Sequence, residues 1–335
     1  MTDKKMTDEV NWHGKPYYSL DAYCKNTYGE KLYKIALNAG LTCPNRDGTL
    51  DTRGCIFCSA GGSGDFAITI CETGQAGSET VPPLSIDRQL AAGKALLDRK
   101  HTGRRYIAYF QAYTNTYGPP SYLRDIYETA LASDMVCGIS IATRPDCITE
   151  DILTLLVDIR EKFPDKFVWI ELGLQTIHEK SARFIRRGYD LTCFDTTVSA
   201  LHTFQIPVIV HVIIGLPGER QSDILQTIDY LNQQPIWGIK LQLLHILKGT
   251  DLATLYLAGS VPVLDKESYL DILIHCLERL SPKTVVHRLT GDGPKDLLLA
   301  PLWSLNKRDV LNSLHHEMKI RNTFQGRDFI KLRKA

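Results

Sequence analysis

The chain has 335 residues, enough for about two average domains, or for one α/β barrel of about 250 residues with extensions. Apolar residues make up 44% and charged residues 23%, which excludes disordered, collagen-like and coiled-coil chains. The net charge is only +1, but residues 281–335 hold eleven Lys/Arg against five Asp/Glu (+6), and the rest hold 28 against 33 (−5). Such an end suits a nucleic-acid contact or a solvated tail.

Met1–Val10 is polar with mixed charges, and no apolar run approaches about 18 residues, so neither a signal peptide nor a membrane span is expected. Residues 1–30 read as an N-terminal extension carrying Trp12, Tyr17, Tyr18, Tyr23 and Tyr28. Strands are then expected near Leu32–Asn38, Arg105–Phe110, Val136–Ala142, Phe167–Leu174, Ile206–Ile214 and Ile236–Leu247. These runs are mostly continuous in Val, Ile, Leu and aromatics, as in parallel strands covered on both faces. Between them, helical patterns fill Ser85–Arg99, Ser121–Ala132, Thr149–Phe163, Leu191–Phe204, Ser222–Leu231 and Lys266–Leu280. Ser59–Pro83 is glycine-rich and reads as a long loop.

The alternation implies βαβ crossovers and a parallel sheet. It fits an α/β fold of six units, a partial (β/α)6 TIM barrel with N- and C-terminal extensions; a doubly wound sheet has the same pattern. The expected divisions are 1–30, a barrel over 31–248, and a C-terminal extension over 249–335. That extension holds a strand at Thr284–Leu289 and a helix across Pro301–Ile320.

Nine cysteines without a secretion signal argue for a reducing compartment, and the cytoplasm is expected. Six are scattered. Cys43, Cys55 and Cys58 fall within sixteen residues, directly after the first expected strand. Loops at the carboxyl ends of parallel strands build active sites. Asn45, Asp47, Gly48 and Gly54 are turn formers that let this loop fold back on itself. Three thiolates can hold three irons of a [4Fe–4S] cluster and leave the fourth open. Zinc is one alternative, with Cys71 thirteen residues beyond Cys58 as a possible fourth ligand, and unligated thiols are another.

Cys43, Cys55 and Phe57-Cys58 resemble the cysteine motif of radical S-adenosylmethionine (SAM) enzymes, in which an aromatic precedes the last cysteine. The first interval is eleven residues where the common spacing is three. Expanded intervals are a feature of the subgroup related to the elongator-complex catalytic subunit. Thr143-Arg144-Pro145-Asp146, Glu171-Leu-Gly173-Leu-Gln175 and Gly215-Leu216-Pro217-Gly218-Glu219 also resemble that subgroup.

The resemblance implies that Cys43, Cys55 and Cys58 ligate the cluster. It implies contacts to SAM from the region of Phe57, from Gln111, Tyr113 and Asn115 after the second strand, and from Arg144. Glu171 needs a partner inside an apolar strand, Gln175 is implied to bond the ribose, and Arg187 the SAM carboxylate, with Arg186 as a decoy. Gly215 is implied to lie near the adenine. His211 stands where related enzymes often carry Asp and, like Glu171, is counted among the cofactor-binding candidates. Arg144 and Asp146 either pair with each other or face the pocket.

Lys240 and Gln242 share one side of the sixth strand by period two. With His245, Arg288 and Asp292 they are the substrate-side candidates; a lone His is also often a satisfied core residue. The implied activity is reductive cleavage of SAM to a 5′-deoxyadenosyl radical, with a reductant such as flavodoxin or ferredoxin. The implied substrate is the wobble uridine of tRNA, converted from 5-carboxymethylaminomethyluridine to 5-aminomethyluridine. Lys319, Arg321, Arg327, Lys331, Arg333 and Lys334 suit phosphate contacts. The alternatives are a radical SAM oxidoreductase acting on a small molecule such as a porphyrinogen, and a non-catalytic, metal-stabilised RNA-binding protein.

Overall fold

A computed structural model describes residues 11–67, 85–99, 103–291 and 293–332, with the side chains of 330–332 excepted. Cys71, Asp292, Arg333, Lys334 and most of the glycine-rich stretch therefore lie outside the described residues. In chain order the elements are α1 (Leu20–Tyr28), β1 (Tyr33–Leu37), α2 (Ile86–Asp98), β2 (Tyr106–Phe110), α3 (Pro120–Ala132), β3 (Val136–Thr143) and α4 (Glu150–Lys162). Next come β4 (Phe167–Gln175), α5 (Glu179–Phe184), α6 (Leu191–Thr203), β5 (Val208–Ile214), α7 (Gln221–Leu231), β6 (Gly238–Leu243) and β7 (Ile246–Leu247). The chain continues through α8 (Asp251–Leu257), α9 (Lys266–Arg279), β8 (Val285–Arg288), β9 (Leu298–Ala300), α10 (Lys307–Ile320) and α11 (Arg327–Leu332).

Local chemistry sets these bounds. The hydroxyl of Thr149 accepts from the Ile152 amide, Glu150 and Asp151 occupy the first turn of α4, and Arg160 and Lys162 the last. Ser19 caps α1 in the same way, and Gly29, at φ +76°, ends it. Asp265 caps α9 through the Ser268 amide.

The chain divides into two compact units. The first comprises Lys31–Gly173 and Thr192–Val208. Its strands run parallel in the order β1-β2-β3-β4. Register puts Ala36, Tyr109, Ser140 and Trp169 level with one another. By period two, one face of these strands carries Ile35, Leu37, Phe110, Ile139, Ile141, Ile170 and Leu172, all buried. The other carries Lys34, Tyr109, Ser140, Trp169 and Glu171.

The second unit comprises Met1–Glu30, Leu174–Leu191 and Ile209–Ala335. Here β5, β6 and β8 are parallel neighbours, with His211 beside Lys240 and Lys240 beside Arg288. The opposite parity (Val210, Val212, Ile239, Leu241) is apolar and buried. Helix α9 packs against α7, α10 and α11. The Tyr18 carbonyl accepts from the Val286 amide at 2.8 Å, so the N-terminal segment lies along β8.

Three differences from the sequence expectation have simple causes. The run Ile236–Leu247 is two strands, because the chain turns at Leu244-His245 and β7 pairs antiparallel with β9. The expected strand at Thr284–Leu289 is β8, and it joins the parallel set. The helix expected from Pro301 begins at Lys307, after a 3-10 turn at Leu302–Leu305, because Asn306 supplies the cap by accepting from the Asp309 amide. Among the described residues no helix is long and apolar enough to cross a membrane.

Candidate active site

The loop that leaves β1 folds back as its turn formers require. The Cys43 carbonyl accepts from the Arg46 amide (2.8 Å) and the Asp47 amide (3.2 Å). The Gly54 amide then reaches the Asn45 carbonyl at 2.6 Å, which returns the chain to the level of Cys43. The Cys58 amide donates to the Cys55 carbonyl (3.0 Å), closing the Cys-x-x-Cys turn. All three cysteines are half-buried as residues, as is Phe57.

Arg46 braces this loop. It donates to the carbonyls of Cys58 (2.9 Å) and Ser59 (2.5 Å) and lies 5.8 Å from the centre of the Tyr113 ring. Gly54 makes room for it, since a Cβ there would come 2.9 Å from the Arg46 Nε. The Asn45 side-chain amide faces the Cys55 sulfur at 3.5 Å.

Burial, then the neighbouring Cys58 and Cys43, push the Cys55 thiol up to about 12, against the pull of Arg144. Burial also raises Cys58, opposed by Arg46. The sulfurs of Cys55 and Cys58 thus feel neighbouring thiols, while Arg144 favours the thiolate of Cys55 and Arg46 that of Cys58. Among the described residues no His, Cys, Asp or Glu set already stands in metal-binding geometry. As a donor set, three cysteines in one loop fit a cationic cluster that needs three thiolates and offsets their mutual repulsion. Sequence spacing gave no hint of Cys147. It is buried after β3, where burial and then Asp146 raise its thiol against the pull of Arg144, and Cys43 adds to the rise.

Around the cysteines, the unit places the other candidates individually. Gln111 donates to the Ser63 carbonyl at 2.7 Å. Tyr113, at φ +61°, donates to the Ala60 carbonyl and covers Gly62, where a Cβ would lie 2.2 Å from its ring. Asn115 is fully buried; its amide donates to the carbonyls of Phe110 (3.1 Å) and Ala142 (2.9 Å), and its Oδ1 is buried without a partner. Arg144 forms a two-pronged ion pair with Asp146 (2.9 and 2.6 Å). Glu171 has the partners its burial demands: Lys34 Nζ and Ser140 Oγ, both 2.6 Å from Oε1.

The second unit holds the remaining candidates. Gln175 sits at φ +68° with its Oε1 buried and unpartnered. Arg187 is nearly fully buried; it donates to the carbonyls of Thr176 (2.7 Å), Tyr189 (2.9 Å) and Leu174 (3.2 Å) and stacks on Tyr189. Arg186 instead pairs with Asp251 at 2.7 Å. Gly215, at φ +93°, opens the turn after β5, where a Cβ would press on Leu264. Two residues after that turn's proline, Glu219 accepts from the Thr176 hydroxyl at 2.6 Å. Lys240 is buried, while His211, Gln242 and Arg288 are half-buried. His245 bonds the Ser304 hydroxyl at 3.0 Å. In the basic end, Arg321 pairs with Asp271 (2.6 Å) and Arg327 with Glu278 (2.8 Å). Both charges are thus paired with carboxylates of the same chain.

The family model of the radical SAM superfamily matches residues 52–231, and that of the radical SAM C-terminal domain matches residues 236–320. Cys55 and Cys58 fall within the first match and Cys43 just before it. The Bacillus subtilis protein YtqA is 40% identical over 95% of this chain and 94% of its own length. Elongator complex protein 3 of Schizosaccharomyces pombe is 25% identical over 52% of this chain, which spans 31% of that protein. The structure of Methanocaldococcus infernus Elp3, lacking residues 1–46, superposes with a TM-score of 0.64 at 12% identity, covering 88% of this chain and 64% of that one. That likeness shows a shared fold, of the α/β class expected from the sequence.

Proposed function

The chain belongs to the radical SAM superfamily, and on that premise we propose that it modifies the wobble uridine of tRNA, converting 5-carboxymethylaminomethyluridine to 5-aminomethyluridine. It is an enzyme whose cofactors are a [4Fe–4S] cluster and SAM, and it requires a reductant. A [4Fe–4S] cluster held by Cys43, Cys55 and Cys58 would supply one electron for the reductive cleavage of SAM.

The chain's own residues do the rest by binding and orienting. Cys43, Cys55 and Cys58 are assigned to the cluster, with Arg46 and Arg144 offsetting the thiolate charge. Asn115 Oδ1, an acceptor with nothing to accept, suits the SAM ammonium. Gln175 Oε1 suits a ribose hydroxyl for the same reason. Arg187 and Gly215 keep the SAM roles that the resemblance implies. Lys240, Gln242 and Arg288 are assigned to the substrate side.

The observation that carries this reading is the returning loop. Its Gly54–Asn45 bond turns the chain back toward Cys43 across an eleven-residue interval, the expanded form that the elongator-like resemblance associates with tRNA. Mass spectrometry of tRNA nucleosides from cells with and without the gene tests it. Deletion should leave carboxymethylaminomethyluridine unconverted; an unchanged wobble-uridine profile sinks the substrate assignment.

A further inference from the structure

Lys34 drew no notice in the sequence, yet it anchors an unusual group of contacts. Its ammonium lies 2.6 Å from the Glu171 carboxylate and 4.5 Å from the centre of the Tyr109 ring. Ser140 donates to the same Glu171 oxygen. Glu171, Ser140 and Tyr109 are buried, but about a fifth of the Lys34 side chain (20%) is exposed. The string therefore runs from the interior of the strands out to one accessible cation.

Stability does not explain it. Burying a carboxylate against one lysine gains little over apolar residues of the same volume, and the other face of these strands is apolar. In register Lys34 stands level with Phe167, but its ammonium meets Glu171, four residues nearer the carboxyl end of β4. The side chain thus leans toward the end at which the cysteine loop leaves β1. A lysine ammonium carries three donors, and Glu171 takes one of them.

We propose that Lys34 is the specificity residue that receives the carboxylate of the substrate's uridine side chain, with Glu171 and Tyr109 as its positioning residues. The inference rests on the tRNA reading above. Under that reading substrate differs from product by a carboxymethyl group, so the enzyme must bind an anion that its product lacks. A half-buried, pre-aimed cation gives that discrimination, because a ligand without the carboxylate leaves its remaining donors unmet.

The test uses anaerobic, cluster-loaded full-length enzyme and one tRNA in two forms, bearing carboxymethylaminomethyluridine or aminomethyluridine at the wobble position. Filter binding should show the wild type preferring the carboxylated form by about ten- to a hundredfold, the usual value of a charge-assisted hydrogen bond. The double variant Lys34→Met/Glu171→Gln removes the cation without stranding a buried charge, and should lose the preference while keeping its iron. Lys34→Arg should retain part of it. If the double variant does not hold iron, Lys34→Gln reads the same contrast. A Lys34 variant that keeps iron and the full preference overturns the assignment, as does a wild type that converts the carboxylated tRNA but binds both forms equally. A wild type that neither prefers nor converts it overturns the tRNA reading, and this inference falls with it.

Discussion

Arg46 grips the cysteine loop at the carbonyls of Cys58 and Ser59, and Gly54 is the clearance that lets it do so. Gly54→Ala would set a methyl 2.9 Å from the Arg46 Nε at a residue whose φ is +75°. The left-handed backbone alone costs about 1–2 kcal/mol. The variant should therefore unfold at lower denaturant and load less iron, read as iron per chain after anaerobic reconstitution. A fully loaded variant of wild-type stability would show that the loop does not depend on this clearance. Cys55→Ala separates ligation from folding. Its side chain is half-buried and small, so the stability change should stay within about 1 kcal/mol. The visible absorption of the cluster should nevertheless be lost. Retention of a full cluster would remove Cys55 from the ligand set.

At the scale of elements, Glu219 clips two loops together inside its unit. It accepts from the Thr176 hydroxyl just after β4 and stands two residues before α7. Burial raises its carboxyl above the ordinary glutamate value, although Thr176, Ser181 and His178 oppose the shift. The folded state then binds the proton more tightly than the unfolded state, so its stability is fullest below the unfolded pKa. That contribution is lost as pH rises through the folded pKa. Glu219→Gln keeps an acceptor for Thr176 and removes the titration. Its melting temperature should gain on the wild type as pH is raised from 4 to 7; a constant difference across that range would exclude Glu219 as the source.

Elements whose signal is local were legible in the sequence: α4 from its Thr149 cap and charged ends, and the cysteine loop from its turn formers. Period two also placed Lys240 and Gln242 on one side of β6. What escaped depends on distance along the chain. Lys34 meets Glu171 across 137 positions, and nothing in a five-residue strand marks such a partner. Arg288 comes beside Lys240 only because a register shift follows Ile239. Gln175 and Glu171 looked alike as polar residues inside an apolar strand, yet one keeps an unmet acceptor and the other is satisfied by protein.

At the scale of the whole molecule, the chain's two ends meet in one unit through Gln325. Its side chain is fully buried. Oε1 accepts from the Tyr18 amide (2.9 Å), and Nε2 donates to the carbonyls of Ser281 (2.7 Å) and Thr284 (2.9 Å). Its own backbone amide donates to the Pro16 carbonyl at 2.9 Å. Next to it, Glu278 accepts from the Thr323 hydroxyl (2.5 Å) and pairs with Arg327. Gln325→Ala would leave one amide and two carbonyls unmet in the interior, each carrying a desolvation cost of about 1–3 kcal/mol. Partial relaxation and water entry reduce the sum, so a loss of about 2–4 kcal/mol is expected in urea unfolding. The same change should release the N-terminal segment from β8. Hydrogen exchange at the Tyr18 and Val286 amides should therefore quicken more than exchange in β2, which belongs to the other unit. Equal quickening everywhere would mean that the clamp acts only through global stability. An unchanged midpoint and unchanged protection at Tyr18 would mean that the segment is held on β8 by the Val286–Tyr18 bond and its aromatic packing instead.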